Sequence, residues 1–263
     1  MSLLATPPEP RPPLRRRLSA PAQRLSAAGM LLMLAIAAGG CSVKGADNAD
    51  LIEGKQMFVA KCGACHTLAR ANTRGLVGPN LDEAFRASVN EGLQRSTIRG
   101  VVEGQIRNPN PEGAMPKDLV SGATARNVAA YVSAAVANPG QDTGLLASAV
   151  EPPGAGKPAV ESAGKLQIAA SPSGQLAYVS SKASATAGAV TVEMANMSGV
   201  SHNIAIEAGS GGASGSGTVL GASQFTAKGT VAVTVKLKPG TYTYFCQAPG
   251  HRAAGMFGTL TVK

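Results

Sequence analysis

Hydropathy changes texture several times along the chain. Residues 27–38 form an uncharged apolar run, Ala-Ala-Gly-Met-Leu-Leu-Met-Leu-Ala-Ile-Ala-Ala, behind a segment that carries Arg11, Arg15, Arg16, Arg17 and Arg24. Coiled as a helix, that run rises about 18 Å, short of the roughly 30 Å hydrocarbon core of a bilayer. A basic segment, a short apolar run and small residues after it predict an export signal over residues 1–40. Leu51 to Lys61 reads as a helix following a polar tether, residues 41–50. Between residues 139 and 164 periodicity vanishes among Pro, Gly and Ala. That composition predicts a flexible connector with ends roughly 25–30 Å apart. From Leu166 onward short β patterns take over: Ala189 to Met194 and Thr230 to Leu237 alternate, and Pro239-Gly240 marks a turn before Thr241 to Cys246. Gly209 to Gly217 predicts a surface loop, and the whole region reads as a sandwich.

The 263 residues leave room for two domains. Aromatic residues make up 3% of the chain and Trp is absent, so the cores must be built from Ala, Val, Leu and Ile. Small domains of that kind often need a metal or cofactor as a staple. The formal charge of +9 is partly in the export segment, and removing residues 1–40 leaves +5. No basic run with interleaved aromatics survives, which argues against nucleic-acid binding. The remaining positive charge suits docking to an acidic protein partner.

Chemistry concentrates on four cysteines (Cys41, Cys62, Cys65, Cys246) and three histidines (His66, His202, His251). Ala38-Gly39-Gly40-Cys41 resembles the lipobox of bacterial lipoproteins, although Ala38 stands where Leu is usual. The resemblance implies lipidation at Cys41 and a membrane-anchored mature chain. An unpaired exposed thiol in an oxidising compartment would otherwise be a liability.

Cys62-Gly63-Ala64-Cys65-His66 follows the first helical pattern directly. Two thiols one helical turn apart can add to two vinyl groups of one haem, and the next residue places an imidazole under the iron. A dithiol oxidoreductase does not need the His and would sit in a βαβ pattern, which is absent. Zinc would need two further ligands nearby, and no other His or Cys occurs before position 202. His66 is the only His of this region, so the sixth iron ligand must be something else. Met57 is too close in sequence to reach the opposite face, whereas Met115, in Gly113-Ala114-Met115-Pro116, offers a soft thioether.

The second cluster is Cys246-Gln247-Ala248-Pro249-Gly250-His251-Arg252-Ala253-Ala254-Gly255-Met256, with His202 upstream. One thiolate, two imidazoles and a weak axial thioether are the ligand set of a blue copper site. Zinc is the rival metal, but it has no use for the thioether. A binuclear copper site would need a second Cys in the loop, and only Cys246 is there.

With these motifs in view, residues 48–138 resemble class I cytochromes c. Gly78-Pro79-Asn80-Leu81 looks like the family segment whose Pro carbonyl orients the proximal imidazole, a role that would fall to Pro79. Asn127 to Val132 resembles the last helix, which in the family crosses the first, with Gly54 and Phe58 against Val128 and Tyr131. Residues 165–263 resemble cupredoxins of the plastocyanin/azurin type. The four-residue gaps on either side of His251 look closer to rusticyanin- and auracyanin-like loops than to the shorter plastocyanin loop. Asn203 matches the residue that bonds across to the Cys loop, and Phe257 to Val262 fits the closing strand.

The resemblances imply a multidomain chain. An all-α class I cytochrome c domain (51–138) would be followed by the connector (139–164) and an all-β Greek-key cupredoxin sandwich (165–263). Its cofactors would be one covalent haem c, on Cys62, Cys65, His66 and Met115, and one type 1 copper, on His202, Cys246, His251 and Met256. The implied function is single-electron transfer, without substrate turnover, at the extracytoplasmic face of a membrane. Its protein partners would be a quinol-oxidising complex and a terminal oxidase or reductase. A haem peroxidase or reductase would need an open iron site and a distal acid/base, and no distal His is present. A copper storage or delivery protein would carry surface Met or Cys clusters, which are missing. Replacing Cys41 with Ser should move the mature protein from the membrane fraction to the soluble fraction; retention on membranes as full as wild type would remove the lipid anchor from the account.

Overall fold

The computed structural model describes residues 48–263; the export signal expected over residues 1–40 and the lipidation site expected at Cys41 lie outside the described residues. Asp50 opens the first helix, α1 (Leu51–Lys61), by accepting from the backbone N–H groups of Ile52 and Glu53 at 2.9 and 3.1 Å. Such a cap satisfies donors that the helix itself cannot. A two-residue ribbon, β1 (Thr67–Leu68) with β2 (Thr73–Arg74), follows, so this half is not purely α. Helices α2 (Leu81–Asn90), α3 (Arg95–Arg107) and α4 (Gly122–Ala135) complete it. Asn80 caps α2. Arg95 donates to the carbonyls of Ser133 and Val136 at 2.8 and 2.7 Å, placing a cation on the C-terminus of α4 where the helix dipole favours it.

Helices α1 and α4 cross at Gly54, where a side chain would run into the Asn127 carbonyl and the Tyr131 side chain. The Phe58 and Tyr131 rings pack beside that point with centroids 6.4 Å apart. Polar bonds flank the crossing: Asn127 donates to Glu53 at 2.7 Å and accepts from the Asp50 N–H at 2.9 Å. Val59, Leu68, Ile98, Val128 and Val132 bury the remaining apolar surface. Each contributes about 1.5–3 kcal/mol relative to an exposed position.

Residues 139–164 are not a free tether. They contain a short helix, α5 (Gly144–Ser148), and a strand, β3 (Ala159–Val160), that joins the second half in parallel with β5 (Lys182–Ala185). Their anchor is Asp142, whose carboxylate meets Lys55 Nζ at 3.0 Å, Arg70 Nε at 2.9 Å and the Tyr131 hydroxyl at 2.9 Å. Lys55 also donates to the Leu146 carbonyl at 2.6 Å. Burial alone would raise the Asp142 carboxyl, but the bonds from Arg70, Lys55 and Tyr131 outweigh it and hold the group below its usual range.

The second half is a two-sheet sandwich. One sheet orders as β4-β6-β9, from Lys165–Ala169, Gly188–Asn196 and Gly229–Leu237. The other orders as β3-β5-β11-β10-β7-β8, adding Lys182–Ala185, Phe257–Val262, Gly240–Phe245, Ala205–Ala208 and Val219–Ala222. The Pro239-Gly240 turn therefore carries the chain from one sheet to the other. Leu166, Ile168, Val192 and Met194 face Ile206, Tyr244 and Leu260 across a core in which the Tyr178 and Tyr244 rings meet edge to face at 5.4 Å. The two halves pack into one compact unit. Gly174, at φ +79, brings its backbone against the carbonyl of Ala60 at the end of α1, a conformation and an approach that favour glycine.

Asp142→Asn should leave Lys55 as a poorly compensated buried cation and destabilise the helical half by about 3 kcal/mol at pH 7. Because the folded carboxyl titrates below its unfolded value, the wild-type advantage should persist down to about pH 4 and vanish only under more acidic conditions. Denaturant titrations of both proteins across pH check it; equal stability at pH 7 would remove Asp142 as the anchor.

Candidate functional site

Three donor atoms meet at one end of the sandwich. His202 lies just ahead of β7 and is held by paired backbone bonds with Thr226 at 3.0 and 2.8 Å. Cys246 is the first residue past β10, and its N–H donates to the Met256 carbonyl at 3.1 Å. His251 opens α6 (His251–Ala254), between Gly250 at φ +78 and Gly255 at φ +116. These left-handed positions let the loop turn twice without strain. His251 N–H donates to Ala248 O, and Met256 N–H to His251 O, so the loop closes on itself.

The Nδ1 atoms of His202 and His251 are 3.1 Å apart, and the Cys246 sulfur lies 3.9 and 3.5 Å from them. A point equidistant from the three lies about 2.0 Å from each, at the short edge of the 2.0–2.3 Å range of metal bonds to imidazole nitrogen and thiolate sulfur. Burial pushes the His202 imidazole down to about 4, with His251 beside it adding to the effect, and lowers His251 as well. Both rings are therefore neutral near pH 7, as metal ligands must be. Burial raises the Cys246 thiol, partly offset by backbone N–H groups of Asn203 and Ala248, so metal binding has to displace its proton. Among the described residues, His202 Nε2 is the one buried side-chain polar atom without a partner. Such an orphan costs about 1–3 kcal/mol, and the Nδ1 atom of the same ring is the one turned toward Cys246 and His251. Met256 is fully buried beside Cys246 in the core.

The support around the triangle was only partly visible in sequence. Asn203 donates to Gln247 Oε1 at 2.9 Å and accepts the Gln247 N–H at 2.8 Å, pinning the His202 segment to the Cys246 loop. Tyr178 donates to the Asn203 carbonyl at 2.7 Å. Arg252 makes two bonds to the buried Glu207 carboxylate, at 2.7 and 3.0 Å. It also reaches the Gly212 carbonyl at 2.8 Å and stacks 4.0 Å from the Phe245 ring centre. Sequence reading passed over Glu207 and Arg252, although a lone acid in an apolar strand and a lone cation in a ligand loop were the available signals. The Gly209–Gly217 stretch is the collar around this pair.

The residues match a known family. A family model described as "Copper binding proteins, plastocyanin/azurin family" matches residues 166–263. Residues 166–263 are a cupredoxin domain. Among solved structures, dithionite-reduced auracyanin from the photosynthetic bacterium Roseiflexus castenholzii is 25% identical, with a TM-score of 0.35, over 39% of this chain and 99% of its own. Auracyanin B is 27% identical (TM-score 0.34; 42% and 96%), and reduced rusticyanin 21% (0.33; 40% and 84%). No curated protein matches the chain. The ligand set of the cupredoxin domain fits copper: a thiolate, two imidazoles and a buried thioether.

In the helical half, Cys62 ends α1, and the N–H groups of Cys65 and His66 both bond back to its carbonyl, at 3.0 and 2.9 Å. His66 Nδ1 lies 3.0 Å from the Pro79 carbonyl oxygen. A carbonyl can only accept, so Nδ1 carries the proton and Nε2 keeps its lone pair. Gly78 lies so close that any side chain there would strike the imidazole. Cys62, Cys65, His66, Pro79 and Met115 line one largely apolar cavity of about 390 Å³. Burial, then the neighbouring Cys65, push the Cys62 thiol up to about 12. Redox-active Cys-x-x-Cys thiols are shifted the opposite way.

Arg252→Met should leave the Glu207 carboxylate buried and alone, and should lower cupredoxin-domain stability by about 3–5 kcal/mol. The double variant Arg252→Met/Glu207→Met should recover most of that. Thermal unfolding of the three proteins checks it, and a single variant within 1 kcal/mol of wild type would mean that the pair does not clamp the loop.

Proposed function

We propose that the protein is an exported, lipid-anchored electron carrier with two one-electron centres, a type 1 copper in the cupredoxin domain and a covalent haem c in the helical half. The observation that carries this reading is the His202–Cys246–His251 triangle, with edges of 3.1, 3.5 and 3.9 Å. The haem assignment is supported by the gathering of both thiols, the oriented imidazole and the Met115 thioether around one apolar cavity. Bound there, copper and haem iron each gain or lose one electron.

The chain's own residues hold the ligands still. Paired bonds between Asn203 and Gln247, with the closed Cys246–Met256 loop, keep the copper ligands in place in either oxidation state. Pro79 fixes the His66 tautomer, and Cys62 and Cys65 would carry the thioether bonds. Met115 would serve as a further ligand of the haem iron and Met256 as a further ligand of the copper. The positive surplus of the mature chain suits acidic faces on its redox partners, a quinol-oxidising complex and a terminal oxidase or reductase.

The test is visible and electron paramagnetic resonance spectroscopy of the full chain, produced with copper and with c-type haem maturation. An intense thiolate-to-copper band in the red, together with a reducible low-spin haem, is expected. Cys246→Ser should abolish the first and spare the second, and Cys62→Ser/Cys65→Ser should do the reverse. Absence of both signals from the wild-type protein would overturn the proposal.

A further inference from the structure

We propose that the cleft between the Cys62–His66 turn and the end of the Cys246–Met256 loop is the internal electron route of this chain, held in register by packing rather than by a tether. The inference rests on the two-centre reading above and adds to it a direct exchange between the centres. The cleft, of about 270 Å³, is walled on one side by Gly63, Thr73 and Arg74 and on the other by Ala254, Gly255 and Tyr178. Gly63 lies between the two cysteines of the attachment motif, and Ala254-Gly255 lies between His251 and Met256. Both ligand loops therefore present backbone to the same gap. Electron tunnelling falls steeply with distance, so the short bonded stretches from each wall to its ligands favour this passage. A second link leads from the cleft through the Tyr178 ring to its 2.7 Å bond with the Asn203 carbonyl, one residue from His202.

The register of the walls is fixed nearby. Gly174 sits against Ala60, two residues before Cys62. Gln175 donates to the Glu151 carbonyl at 3.1 Å, Gln56 donates to Ala149 at 3.1 Å, and Ser181 donates to Gly154 at 2.9 Å. These bonds fasten the connector to both halves, with Asp142 holding its start. In the exchange one electron leaves the reduced centre, which is oxidised, and enters the other, which is reduced; no proton moves and no bond forms or breaks.

Flash photoreduction of one centre in the fully loaded chain, with the other followed by its visible band, tests the route. A first-order exchange whose rate is unchanged over a tenfold range of protein concentration, and unchanged when glycerol raises the viscosity, is expected. A rate proportional to concentration would make the exchange intermolecular, and a viscosity-dependent rate would make domain motion its gate; either result overturns the proposal. Gly174→Leu, which has no room against Ala60, should slow the exchange at least tenfold while both spectra stay as in wild type. An unchanged rate with both spectra intact would overturn it too. A chain that takes up copper but no haem would instead sink the two-centre reading, and the route with it.

Discussion

Strand register decides where the copper ligands can be. Pairing of β10 with β7 sets Phe245 opposite Ala205, and pairing of β10 with β11 sets Phe245 opposite Phe257. Cys246, the next residue, therefore has the His202 segment on one side and Met256 on the other. The ligands meet because two hydrogen-bond ladders end together, and those ladders are held by apolar burial several residues away. A one-residue slip in either pairing would turn every side chain of the strand to the other face, and the core and the site would be lost together.

Burial opposes charge on each donor in turn. It lowers both imidazoles, raises the thiol, and leaves His202 Nε2 without a partner. The two imidazoles are thus held neutral, the form in which a metal binds them. In the helical half the gathering is local. Its thiols and imidazole come from a single turn, and only the Pro79 carbonyl and the cavity wall are supplied from elsewhere.

The sequence displayed the elements whose pattern is local. Alternation at 189–194 and 230–237 lies within β6 and β9, and the helical spacing at 51–61 coincides with α1. Helices α2 and α3 escaped notice because they bury little: no residue of α2 is buried, and in α3 only Ile98 and Ile106 are. The scarcity of His and Cys made the copper ligands legible before any geometry was known. What supports them was not legible, since Glu207 and Arg252 lie 45 positions apart and neither belongs to a motif. The connector misled for the same reason. Its Pro and Gly content reads as flexibility, whereas its placement depends on Asp142, whose Arg70 partner lies 72 positions earlier.

Asp142 and Glu207 have a common logic. Replacing a buried ion pair with apolar residues of similar size is often neutral or even stabilising, so burial alone does not explain either one. An apolar side chain would fill the space but would not fix a direction. Asp142 accepts from Lys55, Arg70 and Tyr131 at once, and only one position of the connector satisfies all three. Glu207 accepts two bonds from a guanidinium that also reaches Gly212 and covers Phe245, which leaves the residue after His251 a single place to lie. Asp142 fastens the connector to the helical half, and Glu207 fastens the loop that bears His251. Their contribution is position, paid for with desolvation.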